Sequence, residues 1–439
     1  MRNPGKQMDV GIIGAGWAGL ATAIELTLSG CKVTIYEAAK SIGGRARRIE
    51  SGSMASQLPV LDNGQHLLIG AYTETQRLIE IVSPGMSAGG FLRVPLTLDY
   101  PDGILLKAFK LPAPLHLAAG ILFANGFSLA EKLAAIGFIR HLQSQAFKPE
   151  APASVAEAIA NQPEKIRRYL WEPLCVAALN TPANQASYKV FARVLKDALT
   201  GSRYASDFMI PVCDLSGLFP EPASDWLKER GAIINTQQRI RTIKPGPNGW
   251  KTDCEVGEAC HDVLVIATSA PQASSLLSKF PECAQIVSQI EALRYQPIVT
   301  VYVQYPVRLD LRTPLTGWID PVPFFVFDLE ATHRRKGFIA AVTSAEGPHL
   351  DWSDNRWLNE IHDRIEQSQG SLPRPRFIKR IAEKRATFSC TPDVVRPEQT
   401  TPCKNLFLVG DYVEGPYPST LEGAVRSGVQ CAKLVTQLS

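Results

Sequence analysis

The chain has 439 residues, 45% of them apolar and 20% charged, with a formal net charge of +4. This is an ordinary globular balance, enough for two or three cores at about 150 residues per domain, and it argues against widespread disorder. Interspersed charges with no long Lys/Arg block argue against a nucleic-acid protein, and nine scattered cysteines without a Cys-x-x-Cys pair argue against a disulfide scaffold or a zinc site.

Asp9 to Ile13 predicts a short strand. Glycines follow at once, and Ala18 to Ser29 carries a helical pattern that Gly30 ends in the place of a C-cap. Lys32 to Tyr36, β-branched and aromatic, predicts a second strand. Strand, helix and parallel strand make a βαβ unit with a right-handed crossover. Its first turn, Gly14-Ala15-Gly16-Trp17-Ala18-Gly19, is a G-x-G-x-x-G between strand and helix, the context in which that pattern signals a dinucleotide. Gly14 permits the tight turn, Gly16 lets a pyrophosphate approach the backbone, and Gly19 lets helix and strand pack closely. The helix N-terminus offers unpaired N–H groups to the phosphates. Glu37, followed by Ala38, closes the second strand, where a carboxylate accepts from both ribose hydroxyls and repels a 2′-phosphate. This unit by itself does not separate NAD from FAD. Ser41 to Ala46 then adds Gly43, Gly44 and Arg45: two glycines for close backbone approach and a bidentate phosphate donor.

Residues from about 105 to 200 read as mostly helical, for example Leu129 to Gln143 and Pro163 to Ala178. The most apolar run, Leu111 to Phe127, contains prolines, a histidine and an asparagine. It falls short of the ~18–20 uninterrupted apolar residues of a spanning helix and reads as a core or interfacial segment. Strands return around Ala232 to Ile243 and Asp262 to Ala267, and Val299 to Gln304, Trp318 to Phe327 and Gly337 to Thr343 predict an antiparallel sheet. The chain closes with a buried strand running into Gly410-Asp411, the turn Pro416 to Thr420, and a helix from Leu421 to Thr436. An Asp after such a strand can hold a ribityl or ribose hydroxyl, and the helix start can aim N–H groups at a flavin ring. NAD needs no such C-terminal clamp; the longer FAD does. The expected class is therefore α/β (α+β). A Rossmann-like FAD-binding domain is expected from residues 1–104, 201–275 and 401–439. A discontinuous substrate domain is expected from a helical insert, 105–200, and a sheet, 276–400.

Taken together, GAGWAGL, YEA, GGRA and LFLVGDY…STLEGAVRSG resemble the amine oxidase and phytoene desaturase superfamily of FAD enzymes, strongly at both ends of the chain and weakly in the middle. Leu61 to Tyr72, LDNGQHLLIGAY, is similar to the segment typical of bacterial hydroxysqualene dehydroxylases, the squalene-associated flavoenzymes of hopanoid biosynthesis. Trp17 and the Pro416 to Thr420 turn share that similarity. The resemblance implies that Gly14, Ala15, Gly16, Trp17, Ala18 and Gly19 surround the pyrophosphate, Glu37 and Ala38 the adenosine ribose, and Gly44 and Arg45 the diphosphate and flavin side. Gly64 and Gln65 would run beside the flavin. Ile240, in an expected Arg239 to Ile243 strand, would hold the adenine by its backbone. Gly410, Asp411, Thr420 and Leu421 would hold the ribityl chain and the isoalloxazine edge. No clear match exists for the lysine that amine oxidases place near flavin N5.

The implied reaction is reductive removal of the hydroxyl of hydroxysqualene, an isoprenoid lipid, to give squalene. The protein must supply a proton for the leaving oxygen, a water-poor cavity and cation-tolerant walls. Candidates are His66, as proton donor or as a structural histidine of its loop; Asp62, which more naturally orients that loop; and Tyr417, as a hydrogen-bond donor or cavity wall. Met1 to Asp9 lacks an apolar h-region, so a cytoplasmic protein is expected. A lipid substrate adds peripheral contact with the inner face of the cytoplasmic membrane, with Leu111 to Phe127 as entrance and Lys107 and Lys110 near headgroups; core packing is the rival role for that segment. The electron donor is not specified. A carotenoid-type desaturase, a flavin amine oxidase and a non-catalytic prenyl-binding protein of the same fold are the competing readings.

Overall fold

The computed structural model describes residues 7–49, 60–254 and 257–438. The elements that position the site are, in chain order, β1 (Asp9–Ile13), α1 (Trp17–Leu28), β2 (Lys32–Tyr36), the hairpin β3 (Thr97–Tyr100) and β4 (Ile104–Lys107), α2 (Leu115–Leu122), α3 (Leu129–Ser144), α4 (Glu172–Leu179), α5 (Tyr188–Thr200), β5 (Ile233–Asn235) and β6 (Val263–Ile266). There follow β7 (Tyr295–Gln304), β8 (Leu315–Trp318), β9 (Phe324–Asp328), β10 (Phe338–Ser344), α6 (Asp354–Gln369), β11 (Phe377–Phe388), β12 (Leu406–Leu408) and α7 (Leu421–Thr436).

Five strands from three distant stretches form one parallel sheet in the order β12-β6-β1-β2-β5. Both faces of β1 and β6 are covered, so they read as continuous apolar runs rather than as alternation. Helix α1 is buried almost all round, from Trp17 to Leu26, because it lies between the sheet and α7. The two helices cross so closely that a Cβ on Gly428 would sit 2.5 Å from the Ala18 carbonyl oxygen. The ends of the chain are thus packed against each other around one core.

A second sheet runs β8-β9-β10-β7-β11, antiparallel throughout. One face of β7, with Val299, Val301 and Val303, packs on Trp357, Ile361 and Ile365 of α6. Each fully buried side chain of this size contributes about 1.5–3 kcal/mol. The other face looks toward the helical insert. The run expected as one strand from Trp318 to Phe327 is two, β8 and β9, because Pro321 and Pro323 break it into a turn. The strand expected over Arg239 to Ile243 begins only at Thr242, and residues 236–241 run irregularly past β2. The helix expected over Pro163 to Ala178 is divided by a π-helical turn, Arg167–Trp171, which turns both Leu170 and Trp171 inward.

Asn180 joins insert and sheet. It ends α4 in the left-handed conformation, φ +44°, and its carboxamide donates to Thr387 Oγ1 at 2.8 Å and accepts from the Ala345 N–H at 2.8 Å. The β3–β4 hairpin packs on β8, where a Cβ on Gly317 would lie 2.7 Å from the Tyr100 ring. The boundary expected at residue 104 therefore falls inside a hairpin that sits against the substrate-side sheet.

Candidate active site

The two glycine turns form one cradle. The Gly14 N–H donates to the Tyr36 carbonyl at 2.7 Å, which ties the first turn to the end of β2. The Gly43 N–H donates to the Ala15 carbonyl at 2.8 Å, and Gly16 and Gly43 form a parallel bridge, so the second motif lies alongside the first. Gly14 has φ +110°, and a Cβ there would sit 2.6 Å from the Ala267 carbonyl oxygen at the end of β6. A Cβ on Gly19 would lie 2.1 Å from the Gly14 oxygen. On Gly16 it would meet nothing nearer than the Gly44 Cα at 3.8 Å. Gly14 and Gly19 are therefore required by the protein itself, whereas the open space at Gly16 is what an approaching pyrophosphate needs. Trp17 also borders this cradle, and its indole is buried, packs tilted against Phe219 with ring centroids 4.7 Å apart and donates to the Ala46 carbonyl at 2.9 Å.

Glu37 accepts one backbone N–H on each carboxylate oxygen, from Ala15 at 2.9 Å and from Ala39 at 2.8 Å. A carboxylate has about four acceptor sites, so capacity remains for two ribose hydroxyls. Ala38 is exposed beside it. The Gln238 N–H donates to the Glu37 carbonyl at 2.8 Å, which brings the irregular segment containing Ile240 alongside this end. Ile240 itself is buried.

Arg45 bridges the halves of the molecule. One guanidinium nitrogen donates to the Ala386 carbonyl at the end of β11, at 2.7 Å, and the other pairs with Asp411 Oδ1 at 2.5 Å. Gly410, just before, has φ +157°, and its N–H donates to Ser427 Oγ of α7 at 2.9 Å. Thr420 caps α7 by accepting the Gly423 N–H, so the first N–H groups of that helix, from Leu421 on, are presented at the cradle's edge.

From this cradle a cavity of about 1030 Å³ extends between helical insert and sheet, at the upper end of the ~300–1,000 Å³ usual for small-molecule sites. Gly16, Gly44, Arg45, Asp411 and Leu421 line one end; leucines, isoleucines and phenylalanines of α2, α4, α5, β8 and β9 line much of the rest, with Arg168, Glu172 and Glu346 among them. No lysine lines it among the described residues. Gly64, Gln65 and His66 form part of the wall, held to the sheet by the Gln65 N–H, which donates to Thr300 Oγ1 at 3.3 Å. His66 Nδ1 lies 2.7 Å from the Gly64 carbonyl. A carbonyl only accepts, so Nδ1 carries the proton and Nε2 is the other, unprotonated nitrogen. Burial, and less so the nearby Arg45 charge, lower the His66 pKa against the opposing pull of the Gly64 carbonyl, so the ring is neutral near pH 7.

Asp62 does not line the cavity among the described residues. It is buried behind the wall, where Oδ1 accepts the Leu215 N–H at 2.9 Å. Its position is that of a loop anchor. Desolvation, reinforced by Asp214 and opposed by the Leu215 N–H and Arg48, pushes its pKa up to about 7. Tyr417 does line the cavity. Its ring stands edge-on to Tyr72 at 6.0 Å. Asn63, Asp197, Tyr72 and Ala386 were not singled out in the sequence. Asn63 and Tyr72 lie in the Leu61 to Tyr72 segment without a role assigned to them there, Asp197 belongs to no motif, and Ala386 acts only through its carbonyl.

A dinucleotide cradle closed by the far end of the chain and opening into an apolar chamber is the site of a flavin-dependent oxidoreductase. The chain belongs to the flavin containing amine oxidoreductase family, whose model matches residues 17–436, and FAD is its cofactor. It is similar to the hydroxysqualene dehydroxylase of Sinorhizobium fredii (26% identical, covering 97% of this chain and 98% of that protein) and to that of Rhodopseudomonas palustris (29%, 97% and 98%). It is also similar to the zeta-carotene desaturase of Arabidopsis thaliana (23%, 98% and 86%). Among solved structures, cyclohexylamine oxidase from Brevibacterium oxydans shares the fold, with TM-score 0.70, 17% identity and 99% of each chain covered.

Proposed function

We propose that this enzyme removes the hydroxyl of hydroxysqualene reductively, giving squalene and water. The observation that carries this reading is the cavity: a large, mostly apolar chamber continuous with the flavin cradle, with no lysine in the wall among the described residues. Such a chamber accepts a long hydrocarbon and excludes the water that would trap a cation. The alcohol is allylic, so departure of its oxygen as water leaves a delocalised carbocation. Bound reduced FAD supplies the hydride that completes the reaction. His66 is the proton donor in its doubly protonated form: the Gly64 carbonyl fixes the ring through Nδ1–H, and Nε2–H delivers to the leaving oxygen. Arg45, Asp411 and the N-terminus of α7 hold and orient the cofactor; Asp62 holds the loop that carries His66.

A C30 lipid must come from a membrane, and the surface of α2 and α3 supports admission there. Phe109, Leu111, Leu115, Leu122, Phe123, Leu129 and Leu133 are 39% to 66% exposed, a contiguous apolar surface with Lys107 and Lys110 beside it. The opposite face of α2, with Leu117 and Ile121, lines the cavity. One helix thus separates lipid from chamber. No helix among the described residues is long and apolar enough to cross a membrane; the reading places this contact as a peripheral one.

The test is anaerobic incubation of the FAD-loaded protein, chemically reduced, with hydroxysqualene. Squalene should appear as the flavin reoxidises. Absence of squalene with FAD in place overturns the reading. The similarity to a carotene desaturase favours a second reading, which predicts the reverse redox change: oxidised flavin bleached by a polyene substrate.

A further inference from the structure

Away from the chamber, two cysteines far apart in sequence touch. Cys283 lies just before the helix Ala284–Glu291 and Cys403 in the loop before β12; they are 120 residues apart, and their sulfurs are 3.6 Å from each other. Cys283 is completely buried and Cys403 is 8% exposed. Hydrogen bonds hold the backbone on both sides. The Cys283 N–H donates to the Phe280 carbonyl at 2.9 Å, and the Cys403 N–H to Thr401 Oγ1 at 3.2 Å. Trp250 spans the two segments: its ring stands edge-on to Phe280 with centroids 5.5 Å apart, and its indole donates to the Lys404 carbonyl at 3.0 Å. The thiols are thus kept facing each other by fixed chain, and they need approach by only about 1.5 Å more to reach the ~2 Å of an S–S bond. We propose that Cys283 and Cys403 are a redox-active dithiol that closes to a disulfide by exchange with small-molecule disulfides, fastening the segment that runs through β12 to Gly410 and Asp411. This holds whatever substrate the chamber takes.

Exchange starts at Cys403, the thiol that solvent reaches. Its sulfur lies 3.4 Å from Glu282 Oε1, and Glu282 is exposed, so the carboxylate takes the thiol proton and passes it to water. The Cys403 thiolate attacks one sulfur of a small disulfide, RSSR; one RS⁻ leaves and is protonated, and a mixed disulfide forms. Cys283 then attacks the Cys403 sulfur, the second RS departs, and the Cys283 proton goes to it. The sum is dithiol plus RSSR giving protein disulfide plus two RSH, with two electrons passing from the cysteines to RSSR. Burial pushes both thiols up: Cys403 to about 12, with Cys283 and then Glu282 adding to it, whereas the Cys403 S–H opposes the shift at Cys283. The pair is therefore protonated at rest and is no general nucleophile. What favours closure is the contact of the two sulfurs, which makes the second step intramolecular. The loop so closed is long, and a cross-link over a long loop removes much freedom from the unfolded chain. Its C-terminal anchor leads through β12, paired with β6, into the turn whose Asp411 meets Arg45.

The experiment equilibrates the FAD-loaded protein in buffers of oxidised and reduced glutathione, quenches with acid and maps the cysteines by mass spectrometry. The wild type should yield a peptide that joins Cys283 to Cys403, lighter by two hydrogens than the reduced pair, and dithiothreitol should reverse it. Cys283→Ser should instead hold a lasting glutathione adduct on Cys403, because nothing remains to resolve it. Cys403→Ser should leave the fully buried Cys283 unmodified. The closed wild type should melt several degrees above the reduced form and release FAD severalfold more slowly, and the double serine variant should show neither change in the same buffers. No joined peptide in the wild type, or a mixed disulfide on Cys403 that persists there, overturns the dithiol, and this arm needs no variant. A joined peptide with unchanged melting and FAD release overturns the fastening.

Discussion

Arg45 and Asp411, 366 residues apart in sequence, form an ion pair at 2.5 Å beside the flavin cradle. The pair joins the loop after β2 to the loop after β12, and a third contact, to the Ala386 carbonyl, adds the end of β11. Three segments of chain therefore meet at one guanidinium. Asp411→Ala leaves that cation against the Ala386 and Arg385 carbonyls without its carboxylate, and Arg45→Ala leaves the carboxylate alone. Each should weaken FAD binding by about 10- to 100-fold, since truncating one partner of a hydrogen-bonded charge pair typically costs ~2–5 kcal/mol and Arg45 keeps some solvent here. The ratio of flavin to protein absorbance after dialysis, and a fluorescence titration of the apoprotein with FAD, measure it.

The cradle glycines should separate into two kinds. Gly19→Ala places a Cβ 2.1 Å from the Gly14 oxygen, a backbone atom held by its own turn. It should destabilise the apoprotein by about 1–3 kcal/mol or more. Gly16→Ala meets nothing closer than 3.8 Å. It should leave the melting temperature of the apoprotein unchanged and abolish FAD binding, because the methyl occupies the phosphate's place. Thermal melts with and without FAD distinguish the two; equal losses of apoprotein stability would show that Gly16 serves packing instead.

Asp62 makes stability depend on pH. Its carboxyl titrates near 7 in the folded chain, against ~3.9 when unfolded. The folded state therefore holds the extra proton between these values, and stability falls as pH rises through that window, by up to about 4 kcal/mol once Asp62 is ionised. Asp62→Asn keeps an oxygen for the Leu215 N–H and removes the ionisation. The variant should match the wild type near pH 4 and melt several degrees higher at pH 8. Parallel pH dependence of the two proteins would remove Asp62 as the cause.

His66→Ala should keep FAD and lose most turnover, about 10²-fold for a general acid. Because burial lowers its pKa below the usual 6.5, the proton-bearing form grows as pH falls through that region, and wild-type turnover should rise with it. The variant should lack this acidic rise. For stability the sign is opposite: a histidine buried neutral costs stability as pH falls below the unfolded value, so His66→Ala should be less sensitive to acid. Steady-state rates and melts from pH 5 to pH 8, roughly the window in which histidine titrates, test both.

Leu115→Asp combined with Phe123→Asp should abolish flotation with phosphatidylglycerol vesicles while leaving FAD content intact. Full burial of one such side chain contributes about 1.5–3 kcal/mol, so each change should weaken membrane partitioning at least about tenfold. A wild-type protein that does not float, or a variant that floats equally well, would assign the apolar face to another role.

Much of the fold was legible because its signals are local. Strands β1 and β2 and helix α7 lie where composition and spacing place them, since β-branched runs and capped amphipathic stretches report their own conformation. Proline and π-turn breaks were less visible: the strand over Trp318 to Phe327 and the helix over Pro163 to Ala178 are each divided, because tertiary packing decides where a marginal run bends. Trp17 sits in the motif, yet the core claims its indole.

By itself the sequence determined the βαβ unit with its glycine turn, the Gly410-Asp411 turn after a C-terminal strand, and the absence of a spanning helix among its apolar runs. Those follow from neighbours along the chain: a glycine's missing Cβ, a strand's period, a helix's cap. Only the tertiary structure decided that Arg45 meets Asp411, and that Asp62 stands behind the wall while His66 and Tyr417 stand in it. These are contacts between single residues on separate elements. Their free energies come from burial and electrostatics at a shared site, and nothing in the spacing of the residues records them.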